Sequence, residues 1–306
     1  MSMLDRPSFH GPIPGPPDPA EALAPPLKGR VRAGGREILR SLFLLPRLPA
    51  GHLKLCALPS FVVIGAQKAG TTSLFRYLSR HPAVIPPLMK EIHFFDLHWE
   101  RGLPWYRAHF PLSILGGAPL TGEASPYYLF HPRVPERMAR VLPQAKILVL
   151  LRNPVDRAIS HYQWEVRYGN ERLSFRDAIG REERLLPRET ARLREEDGYT
   201  SFLHQHGSYL YRGRYAEQLQ RWLHWFPRDR ILVLKAEDFF HRTGEAMATI
   251  RAFLELPEGP PQAYPIHRQG RYGGGLNVDR KELTEYFRPH NEALERLLGM
   301  NLSDWG

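Results

Sequence analysis

Apolar residues along this chain fall into two kinds of pattern: short unbroken runs, and longer stretches in which they return every third or fourth position. The runs FVVIG (61–65) and KILVLL (146–151) are β-branched and leucine-rich and too short for useful helices, which predicts buried strands. Shorter runs at 119–123 and 231–234 predict two more. Helical spacing predicts helices over 71–80, 154–168, 174–197, 209–226, 244–254 and 279–298, with a short lead-in helix over 36–49. Strands that alternate with helices predict an α/β protein, a three-layer α/β/α fold around a central, mostly parallel sheet.

Residues 1–35 are proline-rich and lack apolar periodicity, so they predict a flexible arm ahead of one domain, 36–306. The stretch GPPQAYPIHRQGRYGGGLN (259–277) holds three prolines and five glycines, which predicts an irregular, mobile flap. Trp222, Trp225 and Phe226 are spaced as core residues, and one of Phe94 and Phe95 is expected in the core. HQHG (204–207) reads as a loop.

Composition narrows the chemistry. Of 306 residues, 42% are hydrophobic and 24% charged, which argues against wholesale disorder or a membrane bundle. The excess of 42 basic over 32 acidic residues, +10, favours an anionic ligand or acceptor. Cys56 is the only cysteine, so no intrachain disulfide can form, and no apolar run approaches the roughly 20 residues of a membrane span. With no leader pattern at the amino terminus, the expected location is cytoplasmic. His93 and Asp96 have no third ligand at a suitable spacing, so no metal is expected.

Two loops carry the chemistry. GAQKAGTT (65–72) follows the first strand and opens a helix. Its small residues let backbone N–H groups approach a phosphate, the helix N-terminus favours negative charge, and Thr71, Thr72 and Ser73 add hydroxyls. It departs from the nucleoside-triphosphate loop G-x-x-x-x-G-K-[ST] by placing Thr71 where the lysine belongs and Lys68 inside the crown. There Lys68 can sit on a leaving-group oxygen between two acidic centres. AKILVLLRNPVDRAISHYQW (145–164) repeats the strand-to-helix frame, with Arg152 at the strand end, Pro154 in the first helical turn and Ser160 further along. Arginine and serine there make a second phosphate site. Two such sites on one sheet describe a nucleotide phosphorylated at both its 5′ and 3′ ends.

On these residues the chain resembles the sulfotransferases that use 3′-phosphoadenosine-5′-phosphosulfate (PAPS). The first loop is similar to their 5′-phosphosulfate loop and LRNPVDRAISHYQ to their 3′-phosphate loop, with a P-loop-like fold implied. KEIHFFD (90–96), GLPWYRAHFP (102–111), RGRYAEQLQRWLHWFP (212–227) and YFRPHNEALERLLG (286–299) look most like the heparan sulfate N- and 3-O-sulfotransferases and their bacterial relatives. The resemblance implies that Gln67, Lys68, Ala69, Gly70, Thr71, Thr72 and Ser73 hold the 5′ end of PAPS, and that Arg152, Ser160, Gly270 and Arg271 hold the 3′-phosphate. It maps the base that deprotonates the acceptor to Glu91, with His93 as the alternative, and places Lys90, Asp96 and Glu123 toward the acceptor. No metal is then required, and the product is 3′,5′-bisphosphoadenosine (PAP). Two departures stand out: Gln269 where relatives often have lysine, and Ala124 where the glycosaminoglycan enzymes commonly have lysine. The expected function is sulfuryl transfer by in-line displacement to a hydroxyl, or an amine, of a saccharide. Alternatives are a small alcohol, phenol or lipid-like acceptor, an ATP-dependent P-loop phosphotransferase, a nucleic-acid-binding module, for which no aromatic-basic platform exists, and a silent relative that only binds nucleotide.

Overall fold

A computed structural model describes residues 44–113, 120–260, 263–265 and 278–306. The expected arm, the first part of the lead-in helix, and Gln269, Gly270 and Arg271 in the expected flap lie outside the described residues. Four strands, β1 (Phe61–Gly65), β2 (Gly122–Ala124), β3 (Lys146–Leu151) and β4 (Ile231–Lys235), form one sheet in the order β2-β1-β3-β4. Every pairing is parallel. Flanking helices complete the three-layer α/β/α fold. They include α1 (Thr71–Leu78), α2 (Phe94–Leu97), α3 (Val134–Val141), α4 (Pro154–Tyr168), α5 (Phe175–Glu195), α6 (Phe202–His206), α7 (Tyr215–Trp225), α8 (Thr243–Leu254) and α9 (Arg280–Leu298).

Burial explains the strand pattern. All five residues of β1 are buried and so are five of the six in β3, as a central parallel strand covered on both faces requires. β4, at the sheet edge, alternates buried and half-buried positions. The helices begin where the sequence supplies a cap. Asn153 accepts hydrogen bonds from the N–H groups of Val155 and Asp156 at the start of α4, Ser174 from Asp177 at α5, and Asp279 from Lys281 and Glu282 at α9.

Several sequence expectations need correction. The strand expected over 119–123 is the shorter β2, and Leu120 makes only an isolated bridge to Val84. The helix expected over 209–226 is a 3-10 turn, Tyr211–Gly213, followed by α7. In this stretch the buried carboxylate of Glu182 in α5 accepts the N–H groups of Tyr209, Leu210 and Tyr211, and the regular helix begins only at Tyr215. Burial pushes this carboxyl up to about 7, against the pull of those hydrogen bonds and of Arg157. HQHG lies largely in α6, with His204 buried against Tyr127, to whose hydroxyl its Nδ1 is 2.7 Å away. The described part of the lead-in segment is a 3-10 turn, Leu45–Arg47, and a short helix, Leu48–His52. Phe94 and Phe95 are both core residues, whereas Trp225 is 43% exposed.

Trp222 of α7 is fully buried, packs near Phe226, and donates its indole N–H to the Leu129 carbonyl at 3.2 Å. That carbonyl belongs to the segment that follows β2, so the side chain ties α7 to the active edge of the sheet. Trp222→Ala is expected to lower stability by about 3–5 kcal/mol, read as a reduced urea midpoint with the slope unchanged.

Candidate active site

The carboxyl ends of β2, β1 and β3 lie side by side because the three strands are adjacent and parallel. Ligands of open parallel sheets bind in the crevice beyond these ends, where the chain order reverses, here between β1 and β3. The loop after β1 runs from Gly65 to Gly70, and the segment after β3 starts at Arg152. They meet directly: Arg152 Nη1 donates to the Lys68 carbonyl at 3.1 Å.

Gly70 sits at φ +99° immediately before α1, and a Cβ there would come within 2.5 Å of the Phe240 ring. Glycine is therefore required both for the turn and for the close approach. Among the described residues the N–H groups of Gly70, Thr71 and Thr72 have no protein acceptor, and the first turn of α1 carries no acidic side chain. That donor set fits a phosphate. Thr71 is nearly buried and Thr72 half-buried. Ser73 and Ala69 are enclosed, and the Ser73 hydroxyl bonds Tyr77, so Ser73 shapes the helix rather than the open face of the loop. Ser160, expected at the 3′-phosphate, is likewise 1% exposed on the inner side of α4. Gln67 turns inward, its Oε1 accepting from Arg212 Nη1 at 2.6 Å. Arg212 is itself enclosed and bonded to Ser208 and to the carbonyls of His204 and Gln205, which braces the loop from behind. Lys68, at φ +74°, sets its Nζ 4.0 Å from the ring centroid of Trp164 in α4.

KEIH lies against the carboxyl end of β2. Glu91 and His93 both have positive φ, +64° and +57°, and each is pinned by the segment that continues β2. The Glu91 N–H donates to Ala124 O at 3.2 Å and the His93 N–H to Ser125 Oγ at 3.4 Å. The Tyr128 hydroxyl accepts from Phe94 N at 2.8 Å and from Phe95 N at 3.4 Å, at the start of α2. The Glu91 side chain is 47% exposed and paired with Lys90. His93 Nδ1 lies 2.8 Å from Asp96 Oδ2, and the Asp96 side chain is wholly enclosed. Burial pushes the His93 imidazolium down, but the charge and hydrogen bond of Asp96, with Glu91 and Glu123 adding to them, outweigh burial and hold its pKa above the ordinary value. Burial pushes Asp96 up, and the His93 partner, with the His131 charge and the Leu97 N–H adding to it, more than offsets this and leaves Asp96 below its usual range.

Glu123, expected to face the acceptor, is 0% exposed, with the Tyr128 and Tyr106 hydroxyls beside its carboxyl. It therefore reaches no acceptor directly. Burial pushes its carboxyl up to about 8, opposed by the Tyr128 and Tyr106 hydroxyls and assisted by the charge of Asp96. Among the described residues no group of three potential metal ligands stands together. Sequence reasoning missed Ser125, Tyr128, Arg212 and Trp164 as parts of this site. The signal for Trp164 was present, since it lies one helical turn from Ser160 on the segment already singled out. For Arg212 there was none, because its contact with Gln67 spans 145 positions.

The chain matches the family described as "Sulfotransferase domain" over residues 58–269. A crystal structure titled as a sulfotransferase from Alicyclobacillus acidocaldarius is 33% identical, with a TM-score of 0.63 over 81% of this chain and 99% of that one. The Bos taurus bifunctional heparan sulfate N-deacetylase/N-sulfotransferase 2 is 30% identical over 81% of this chain, which spans 30% of that protein's length. The Homo sapiens heparan sulfate glucosamine 3-O-sulfotransferase 6 is 28% identical over 81% of this chain and 74% of its own length.

Glu123 ties stability to pH. Its folded value near 8 stands above the ordinary 4.5, so between these limits the folded protein keeps a proton that the unfolded chain releases. Stability then falls as pH rises through this window, by up to about 1.4 kcal/mol per unit from this one group. Glu123→Gln cannot ionise and is expected to flatten that slope. Urea unfolding of both proteins between about pH 5 and pH 8 checks it, and parallel slopes would refute it.

Proposed function

Because the chain belongs to the sulfotransferase family, and is a sulfotransferase by that membership, we propose that its donor is PAPS and its acceptor a saccharide hydroxyl, with an amine as the alternative nucleophile. The observation that carries this reading is the convergence of an anion-binding loop, a cationic side chain and an exposed carboxylate at three adjacent strand ends. PAPS supplies an activated sulfuryl group, so the protein needs to bind, orient and manage charge and a proton.

The free N–H groups at the start of α1, with Thr71 and Thr72, bind the 5′-phosphate. Arg152 serves the 3′-phosphate, which Gly270 and Arg271 complete in this reading. Lys68 at the crown stabilises the negative charge that builds on the departing bridging oxygen. Glu91 takes the acceptor proton. Its exposure leaves it accessible, and Lys90 pairs with it at the same edge. His93 is held by Asp96 with its pKa raised, so it keeps its proton more readily than an ordinary imidazole and is suited to donate a hydrogen bond to the acceptor. Glu91 is therefore the preferred base.

The saccharide class is supported by likeness to proteins named for heparan sulfate. Ala124, enclosed in β2, stands where the glycosaminoglycan enzymes commonly carry a lysine, so the site has one cation fewer to match a polyanion.

PAP release from PAPS across desulfated glycosaminoglycans, simple saccharides, phenols, sterols and long-chain alcohols tests the reading. Release is expected with saccharides, undiminished by chelator, nearly abolished in Lys68→Ala, and lowered on the order of 10²–10⁴ in Glu91→Gln. Activity retained by Glu91→Gln and lost in His93→Ala would transfer the base to His93, and failure to bind PAP would remove the donor assignment.

A further inference from the structure

Lys68 stands at the point where charge must be managed, yet lysine is a compact charge on a flexible stem. Its backbone is well fixed. The Lys68 carbonyl accepts from Arg152, the neighbouring Gln67 side chain is held by Arg212, and the Ala69 N–H closes the loop onto Ala66 O at 3.1 Å. None of these contacts governs where the ammonium goes.

The side chain end is met by Trp164, with Nζ 4.0 Å from its ring centroid. A lysine ammonium at that distance is attracted by the negative face of the indole. The ring is itself backed by Tyr168 on the next turn of α4, centroid to centroid 4.3 Å with the planes tilted by 40°. Trp164 is half-buried, and Tyr168 at 44% exposure keeps the stack at the surface of the crevice rather than in the core. Arg152, just before α4, and Trp164, within it, thus grip the two ends of the same residue.

We propose that Trp164 is the positioning residue for Lys68. Its indole face holds the ammonium over the crown of the loop, and Tyr168 supports the ring. Its catalytic consequence rests on the donor assignment made under Proposed function. The placement itself does not, because it concerns two side chains of this protein only. Misplacement of a catalytic group by about 1 Å can lower the rate on the order of 10²-fold, so loss of the ring should be felt in kcat.

Two measurements on the full chain separate the possibilities. Reductive ¹³C-methylation of the lysines leaves their charge intact, and a methylated Nζ above an indole gives an upfield-shifted signal. That signal is expected in the wild type without nucleotide, absent in Lys68→Arg, lost in Trp164→Leu and partly retained in Trp164→Phe. In parallel, Trp164→Leu is expected to lower the rate of PAP release about ten- to a hundredfold while PAP affinity, read by calorimetry, stays within about twofold. Trp164→Phe, which keeps an aromatic face, recovers most of the rate, and Tyr168→Ala falls between the two. An unshifted methyl signal in the wild type, or unchanged turnover in Trp164→Leu, overturns the proposal. Equal losses in the Leu and Phe variants, together with loss of PAP binding, also overturn it by pointing to a merely structural indole. If the wild type neither binds PAP nor releases it from PAPS, the donor assignment falls, and the methyl signal still decides whether Trp164 holds Lys68.

Discussion

Parallel pairing of β1 with β2 on one side and β3 on the other brings three carboxyl ends to one edge, and every part of the site is attached to one of those ends. A parallel strand cannot return through a tight turn, so each crossover must carry a long segment back over the sheet. Those segments are where the helices, the KEIH stretch and α4 come from. The pairing thus sets both the architecture and the place where an anion-binding loop, Arg152 and Glu91 can meet.

The division of labour between the strands is chemical as well as spatial. β1 ends in glycine and small residues, so backbone N–H groups face the crevice. β3 ends in an arginine that bonds the loop of its neighbour rather than standing apart from it. The Ala124 carbonyl at the end of β2 and Ser125 Oγ just after it hold Glu91 and His93 in a backbone conformation that L-residues seldom choose, and the Tyr128 hydroxyl accepts the N–H groups of Phe94 and Phe95 that follow. Strain of this kind persists only where surrounding contacts over-determine it. Beneath it Phe94 stacks on Tyr106 with centroids 4.5 Å apart, which makes the floor of the KEIH segment rigid.

A second feature is the number of charged groups kept out of water behind the site. Glu182, Arg157 and Arg212 are all buried, and burial pulls Arg212 down to about 10. Each is bonded to backbone groups of the 204–211 region: Glu182 accepts N–H groups, while Arg157 and Arg212 donate to carbonyls. Such networks add little net stability compared with an apolar core, but they allow few alternative packings. Here that specificity is delivered to Gln67 and so to the crown of the loop that carries Lys68.

The sequence by itself determined the class of fold and the two strand-to-helix loops at Gly65–Gly70 and Arg152, because both depend on local patterns. Unbroken β-branched runs bury as parallel strands, and glycine followed by threonine at a strand-to-helix turn has few other physical uses. It also identified Glu91 and the His93–Asp96 pair, which are close along the chain. What only the tertiary structure decided are the contacts that close over long separations. Glu123 alternates with Gly122 and Ala124 in a strand of three, and nothing local told whether its carboxyl would face the cleft or the interior; packing against Tyr106 and Tyr128 enclosed it. In the helix expected over 209–226, the Leu210 N–H is held by a carboxylate 28 positions away and the regular helix begins only at Tyr215. Trp164 could be placed on a helix from its spacing, but not over Lys68, since that meeting requires β1 and β3 to be neighbours. Local pattern follows from backbone sterics and the burial of apolar side chains, whereas these contacts follow from sheet order, which no short stretch of sequence contains.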